Sequence, residues 1–191
     1  MLRVVNLEEI QNLLLLVPSI VKLSEEKDFG FVSAVKKWLI QMEMVLKNNK
    51  LSVSANVAGF HGVLISAEQG NIPSGINFKG AITRRKVREA TASRSISQAV
   101  EIVSDRLQKD IERVDEAERI IRQLVSIAKC KGLIVDVPSG NNFSDALKSV
   151  WKTMSADQVL SQGAVSVEGL VGPHDALILL DRRITADKQK T

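Results

Sequence analysis

TRRKVREATASRSISQAVEIVSDRLQKDIERVDEAERIIRQLVSIAKCK, residues 83–131, decides the fold. It holds no proline, and no glycine interrupts it before Gly132. Val100, Val103, Leu107, Ile111, Val114, Ala117, Ile121, Leu124 and Ala128 recur at intervals of three and four, so one helix carries them as a single apolar stripe. Such a helix is about 70 Å long at 1.5 Å per residue. A compact domain of this chain length is narrower, so the far end is expected to meet another chain, supercoil or stand in solvent. Asp105 with Lys109, Asp115 with Arg119, and Glu118 with Arg122 stand four apart in the favourable acid-before-base order. Mixed charge around an apolar seam is how a solvated or coiled-coil helix is written. Val100, Val103, Leu107, Ile111, Val114, Ile121 and Leu124 are therefore the candidate association seam.

The head of the same stretch is basic. Arg84, Arg85, Lys86, Arg88 and Arg94 face only Glu89, which accounts for the whole net charge of +4. The basicity is a patch and not a general property. Positive charge in the first turns opposes the helix dipole. Either the helix begins later, with Ser95 and Gln98 as a capping pair, or an anionic partner covers this end. These five residues are the candidates for contact with a nucleic-acid backbone or an acidic protein surface. Arg182 and Arg183 form a smaller cluster.

Upstream, Asn6 and Glu9 make a capping pair for a first helix bearing Leu7, Ile10, Leu13, Leu14, Val17 and Val21, which Pro18 kinks or ends. Phe31, Val35, Trp38, Leu39, Met42, Val45 and Leu46 predict a second helix from about Gly30 to Asn48. A third, about Ser52 to Gln69, carries Gly59 and Gly62. Each glycine costs roughly 1 kcal/mol against alanine, so a close helix–helix approach is expected there, or else a break. Pro73-Ser74-Gly75-Ile76-Asn77-Phe78 returns as Pro138-Ser139-Gly140-Asn141-Asn142-Phe143. It reads as an internal repeat of helix, proline turn, phenylalanine and helix, or as independent turns, each closed by a hydrophobic staple.

Downstream, Leu133–Val137 reads as extended. A helix from about Ser144 to Thr153 buries Leu147, Val150, Trp151 and Met154, and a new start is expected at Ser155 with Gln158. Residues 164–171 are apolar but broken by glycine, which leaves strand and loop open. Ala176–Ile184 reads as a short helix or an edge strand. The expected architecture is all-α: helical hairpins packed around one long helix within residues 1–160, then a small irregular or β-containing C-terminal segment over 161–191.

Composition narrows the function. Apolar residues make up 45% of the chain, enough for a core, but aromatics are only 4% and tyrosine is absent. Base stacking on aromatic platforms is hard to build from that inventory. Cys130 is the sole cysteine, so neither an intramolecular disulfide nor a cysteine-based zinc site is available within one chain. A reducing, cytoplasmic setting is expected. Leu13–Val17 is too short for a signal peptide core, and no apolar run reaches the roughly 18–20 residues of a membrane span.

Catalytic motifs are lacking: no Gly-x-Ser-x-Gly, no Walker-type phosphate loop, no Gly-x-Gly-x-x-Gly. A metal site or Cys/His dyad would need Cys130 with His61 or His174, which instead read as packing and turn residues. No catalytic residue, cofactor or metal is assigned. The expected function is that of a non-enzymatic structural or interaction subunit, binding a protein partner or a second copy. Two alternatives stand beside it: a nucleic-acid-binding accessory protein using residues 84–94, and a membrane-active helical protein using Val53–Ala67.

Overall fold

The computed structural model describes residues 1–75, 82–134 and 143–188, and every regular element among them is a helix. These are α1 (Val4–Leu14), α2 (Val17–Glu25), α3 (Phe31–Asn48), α4 (Ser54–Glu68), α5 (Arg84–Cys130), α6 (Phe143–Ala156), α7 (Ser161–Val171) and α8 (Pro173–Lys188). The chain divides into two compact units. The N-terminal unit comprises Leu2 and residues 4–108. The C-terminal unit comprises residues 109–191 with Met1 and Arg3. The division falls inside α5, between Gln108 and Lys109, where the sequence placed a boundary near residue 160.

In the N-terminal unit α3 is the central strut. Its stripe from Phe31 to Leu46 is buried as predicted, packed by α1, α2 and α4. α1 begins at Val4, two residues before the predicted cap, because Val4 continues the buried stripe of Leu7 and Ile10. The chain breaks after Leu14, and Pro18 takes the first turn of α2, where a missing N–H costs nothing. Buried Trp38 donates its indole N–H to the carbonyl of Leu13 at 2.7 Å, which also accepts from the Leu16 N–H at 3.2 Å. α4 runs unbroken through Gly59 and Gly62. A Cβ at either would meet nothing within 4 Å, so the predicted close approach is not there; both glycines face solvent.

α5 starts at Arg84, with Thr83 Oγ1 accepting from the Lys86 N–H at 3.3 Å. The later start at Ser95 does not occur. Ser95 is buried mid-helix, its hydroxyl 3.5 Å from the Phe60 carbonyl of α4. The predicted pairs Asp105–Lys109, Asp115–Arg119 and Glu118–Arg122 give way to Asp110–Arg113 at 2.9 Å and Glu116–Arg119 at 2.6 Å. Arg119 prefers Glu116 because its fork meets both carboxylate oxygens there.

The C-terminal segment is helical, not irregular or β. Leu160, Ala164, Val167 and Val171 are all buried at intervals of four, three and four, a helical stripe that the glycines had obscured. Gly163 is the position of close approach: a Cβ there would stand 2.7 Å from Leu124 Cδ2 of α5. Gly172, at φ 82°, stops α7, and Pro173 opens α8 at a bend of 114°. The turn into α7 is capped by Asp157, not Ser155; its Oδ1 accepts from Val159 and Leu160, while the Ser155 hydroxyl bonds back to Trp151. Buried Asp175 accepts from Arg3 at 3.3 Å. The proline–glycine recurrence lies mostly outside the described residues, as does most of the stretch read as extended. α6 starts at Phe143 itself, whereas α5 starts six residues past Phe78.

Candidate functional site

Of the nine stripe residues on α5, seven are buried within the chain: Val103, Leu107, Val114, Ala117, Ile121, Leu124 and Ala128. Val100 and Ile111 are half-buried. α7, left open between strand and loop, and α8, left open between helix and edge strand, supply apolar stripes that meet the second half of α5 at Leu124 and Ile121. The seam is core.

The basic head of α5 separates into three roles. Arg85 is a clamp on the α2–α3 turn. It donates to the Lys27 carbonyl at 3.0 Å and to Glu89 at 2.6 Å, and its guanidinium lies 4.2 Å over the Phe29 ring. Arg94 is a clamp on the turn after α4, donating to the Ser74 carbonyl at 2.9 Å. Gly75 there has φ 78°, and a Cβ would press to 3.0 Å from the Arg94 guanidinium. Arg84 and Arg88 are exposed, one turn apart, with no ion pair among the described residues. Lys86 lies about 160° around the helix from Arg88, and Arg94 about 120°, at roughly 100° per residue. The five charges thus do not share a face.

Part of the surface of the N-terminal unit is apolar. Leu15 is 74% exposed, Leu16 47% and Val21 40%, all within or between α1 and α2. Phe29, stacked on Arg85, is 84% exposed. Beside them a groove of about 350 Å³ runs between α2 and α5, walled by Val17, Val21, Phe31, Ile96 and Val100. Taken together, Val4–Glu25 spans 22 residues and holds an 18-residue window with a mean hydropathy of 1.4, only 22% of which is buried. By length and composition it is apolar enough to cross a membrane, although neither half reaches that length alone. The sequence reading missed this because it weighed Leu13–Val17 as a short run and counted the rest of α1 as core. α4, the helix assigned to the membrane alternative, buries Val57 and Leu64 and leaves Val63 as its one exposed large apolar side chain.

His61 is half-buried on α4 with its Nε2 lacking a partner among the described residues, and His174 is exposed in the first turn of α8. Cys130 is exposed at the end of α5. Its neighbours Lys129 and Lys131 turn away to Asp187 and Asp157, at 2.7 and 2.8 Å. The structure does not bring these three residues together as a site, and among the described residues no group of three or more His, Cys, Asp or Glu side chains could hold a metal ion.

Fold and surface together define an all-helical, two-unit protein built on one shared helix. No family model, curated protein or solved structure matches the chain.

Proposed function

We propose that this chain is a non-enzymatic helical interaction subunit that associates with a second copy of itself through the apolar face of α1 and α2. The observation that supports this is the exposure of Leu15, Leu16 and Val21 next to an apolar groove, in a segment whose most apolar 18-residue window is only 22% buried. Clustered exposed aliphatic side chains of this kind mark association surfaces. A groove between two helices receives the apolar face of a third, and each copy carries both groove and face. Val21 belongs to both face and groove, so a two-fold axis through it would make the pairing isologous and close it at a dimer.

Light scattering tests the reading. A dimer that persists in high salt is expected, since apolar burial is not screened. Leu15→Glu with Leu16→Glu should give a monomer of unchanged helical circular dichroism. A wild-type monomer at every concentration would overturn self-association. Pelleting with liposomes under the same conditions would move the apolar face to a lipid partner instead.

A second reading rests on Arg84 and Arg88, exposed and without an ion pair among the described residues. They would meet the phosphates of a nucleic acid with little sequence preference. Replacing both with alanine should then lower the salt slope of binding by about 0.9 for each phosphate no longer neutralised. Unchanged binding would remove this reading.

A further inference from the structure

We propose that two copies of the chain meet along α2, antiparallel and centred on Val21, so that Glu25 of each copy answers the uncapped start of α2 in the other. This rests on the self-association proposed above and names its register. One face of α2 is free and partly apolar. At about 100° per residue, Val17, Pro18, Val21, Ser24 and Glu25 all fall within about 60° of Val21. Each of them is half-buried or exposed, whereas Ile20, outside that arc, is buried. Val17, Val21, Ser24 and Glu25 also wall the groove against α5, beside Ile96 and Val100. An antiparallel two-fold through Val21 sets that residue against its own copy and Val17 against Glu25 of the second copy.

Charge selects the antiparallel arrangement over the parallel one. Leu16 holds the N-cap position of α2 with no side-chain hydrogen bond, and no acidic residue stands in the first turn. Ser19 does not substitute, because its hydroxyl donates to the Leu16 carbonyl at 2.7 Å. The partial positive charge of this helix start is therefore unanswered by any side chain of α2 itself. At the other end Glu25 is exposed and makes no ion pair among the described residues, while its neighbour Glu26 takes Lys22 at 3.6 Å. A carboxylate in the last turn of its own helix opposes the dipole. Antiparallel pairing moves each Glu25 onto the opposite start and relieves both ends, with Val17 and Val21 closing the apolar middle. Parallel pairing would set Glu25 against Glu25 and one uncapped start against the other.

The test is disulfide trapping in the full chain carrying Cys130→Ser, which removes the native exposed thiol, alongside light scattering. Val21→Cys should trap a covalent dimer by itself. Val17→Cys and Ser24→Cys should each fail to trap alone and should trap when mixed. Antiparallel helices hold the two copies of position 17 about 12 Å apart along the axis, and those of position 24 about 9 Å, beyond the reach of a disulfide. Glu25→Gln should raise the dissociation constant of the dimer about three- to thirtyfold, since two symmetry-related charge–dipole contacts are lost. Glu26→Gln, off this face, should leave it unchanged. A dimer in which Val17→Cys or Ser24→Cys traps by itself is parallel, and a dimer that traps at none of these positions meets elsewhere; either result overturns the register, as would full affinity in E25Q. A monomeric unmodified chain would overturn self-association itself.

Discussion

In the N-terminal unit the buried indole of Trp38 donates to a backbone carbonyl, that of Leu13. In the C-terminal unit the buried indole of Trp151 donates to a side chain, the carboxylate of Glu168, at the same 2.7 Å. The contrast extends over both surfaces. Large exposed apolar side chains gather in the first unit, from Val5, Leu15, Leu16, Val21 and Phe29 to Ile40 and Met44. Among its described residues the second shows only Ile127, Val159 and Val165 apart from Met1. Both units carry ion pairs, Lys36 on Glu68 and Arg85 on Glu89 in the first, but those of the second also fasten its last helix and the turn into α7: Lys129 and Arg183 on Asp187, and Lys131 on Asp157. One unit keeps more large apolar side chains outward. The other closes its surface with charge.

The two units are most sharply separated at the tryptophans. Trp38→Ala removes a side chain only 1% exposed together with its hydrogen bond to the Leu13 carbonyl, so a loss of ~3–5 kcal/mol is expected. Urea unfolding followed by the fluorescence of Trp151, then the only indole, reads the C-terminal unit by itself. An unmoved Trp151 midpoint beside a collapsed circular dichroism midpoint would mean that the units unfold separately. A shared midpoint would mean that α5 couples them.

Glycine sharpens the contrast at lower magnitude and with opposite signs. Gly163→Val drives carbon into Leu124, itself 5% exposed, and should cost ~1–3 kcal/mol. Gly59→Ala and Gly62→Ala meet open space on a helix interior and should each stabilise by ~0.5–1 kcal/mol. Thermal melts of the three variants check this. Destabilisation by G59A would show that its exposed face is covered in solution, for instance by a second copy.

The sequence read α3 and α5 well because their stripes are long and free of glycine. It failed where stripes are short and diluted. Gly163 and Gly169 hid the pattern of Ala164, Val167 and Val171, so α7 was not counted, and α8 was left between a helix and an edge strand. Without them the stretch from Val114 to Ala128 had no cover within the chain and read as an association seam. The charge of the α5 head was legible by counting. That Arg85 and Arg94 are spent on the carbonyls of Lys27 and Ser74 was not, because those turns lie 58 and 20 residues away.

The smallest expected effect separates the units by pH. Asp157 accepts from Lys131 Nζ on both oxygens at 2.8 Å, and from the N–H groups of Val159 and Leu160. The Lys131 bond above all, then the backbone donors, holds its carboxyl below the usual aspartate range. The Arg119 bond does the same for Glu116. A depressed carboxylate stabilises the folded state fully above its unfolded pKa, and that contribution is lost as pH falls through the folded one. Both groups belong to the C-terminal unit, so acid below about pH 4 should weaken that unit first. Asp157→Asn should melt lower than wild type at neutral pH, and the gap should narrow as the wild-type carboxylate protonates. Glu116 keeps some slope in the variant, so the two curves converge without the variant becoming flat. Parallel curves from neutral pH into acid would mean that Lys131 and the cap contribute nothing that depends on charge, and the contrast between an apolar unit and a charge-fastened one would lose its electrostatic half.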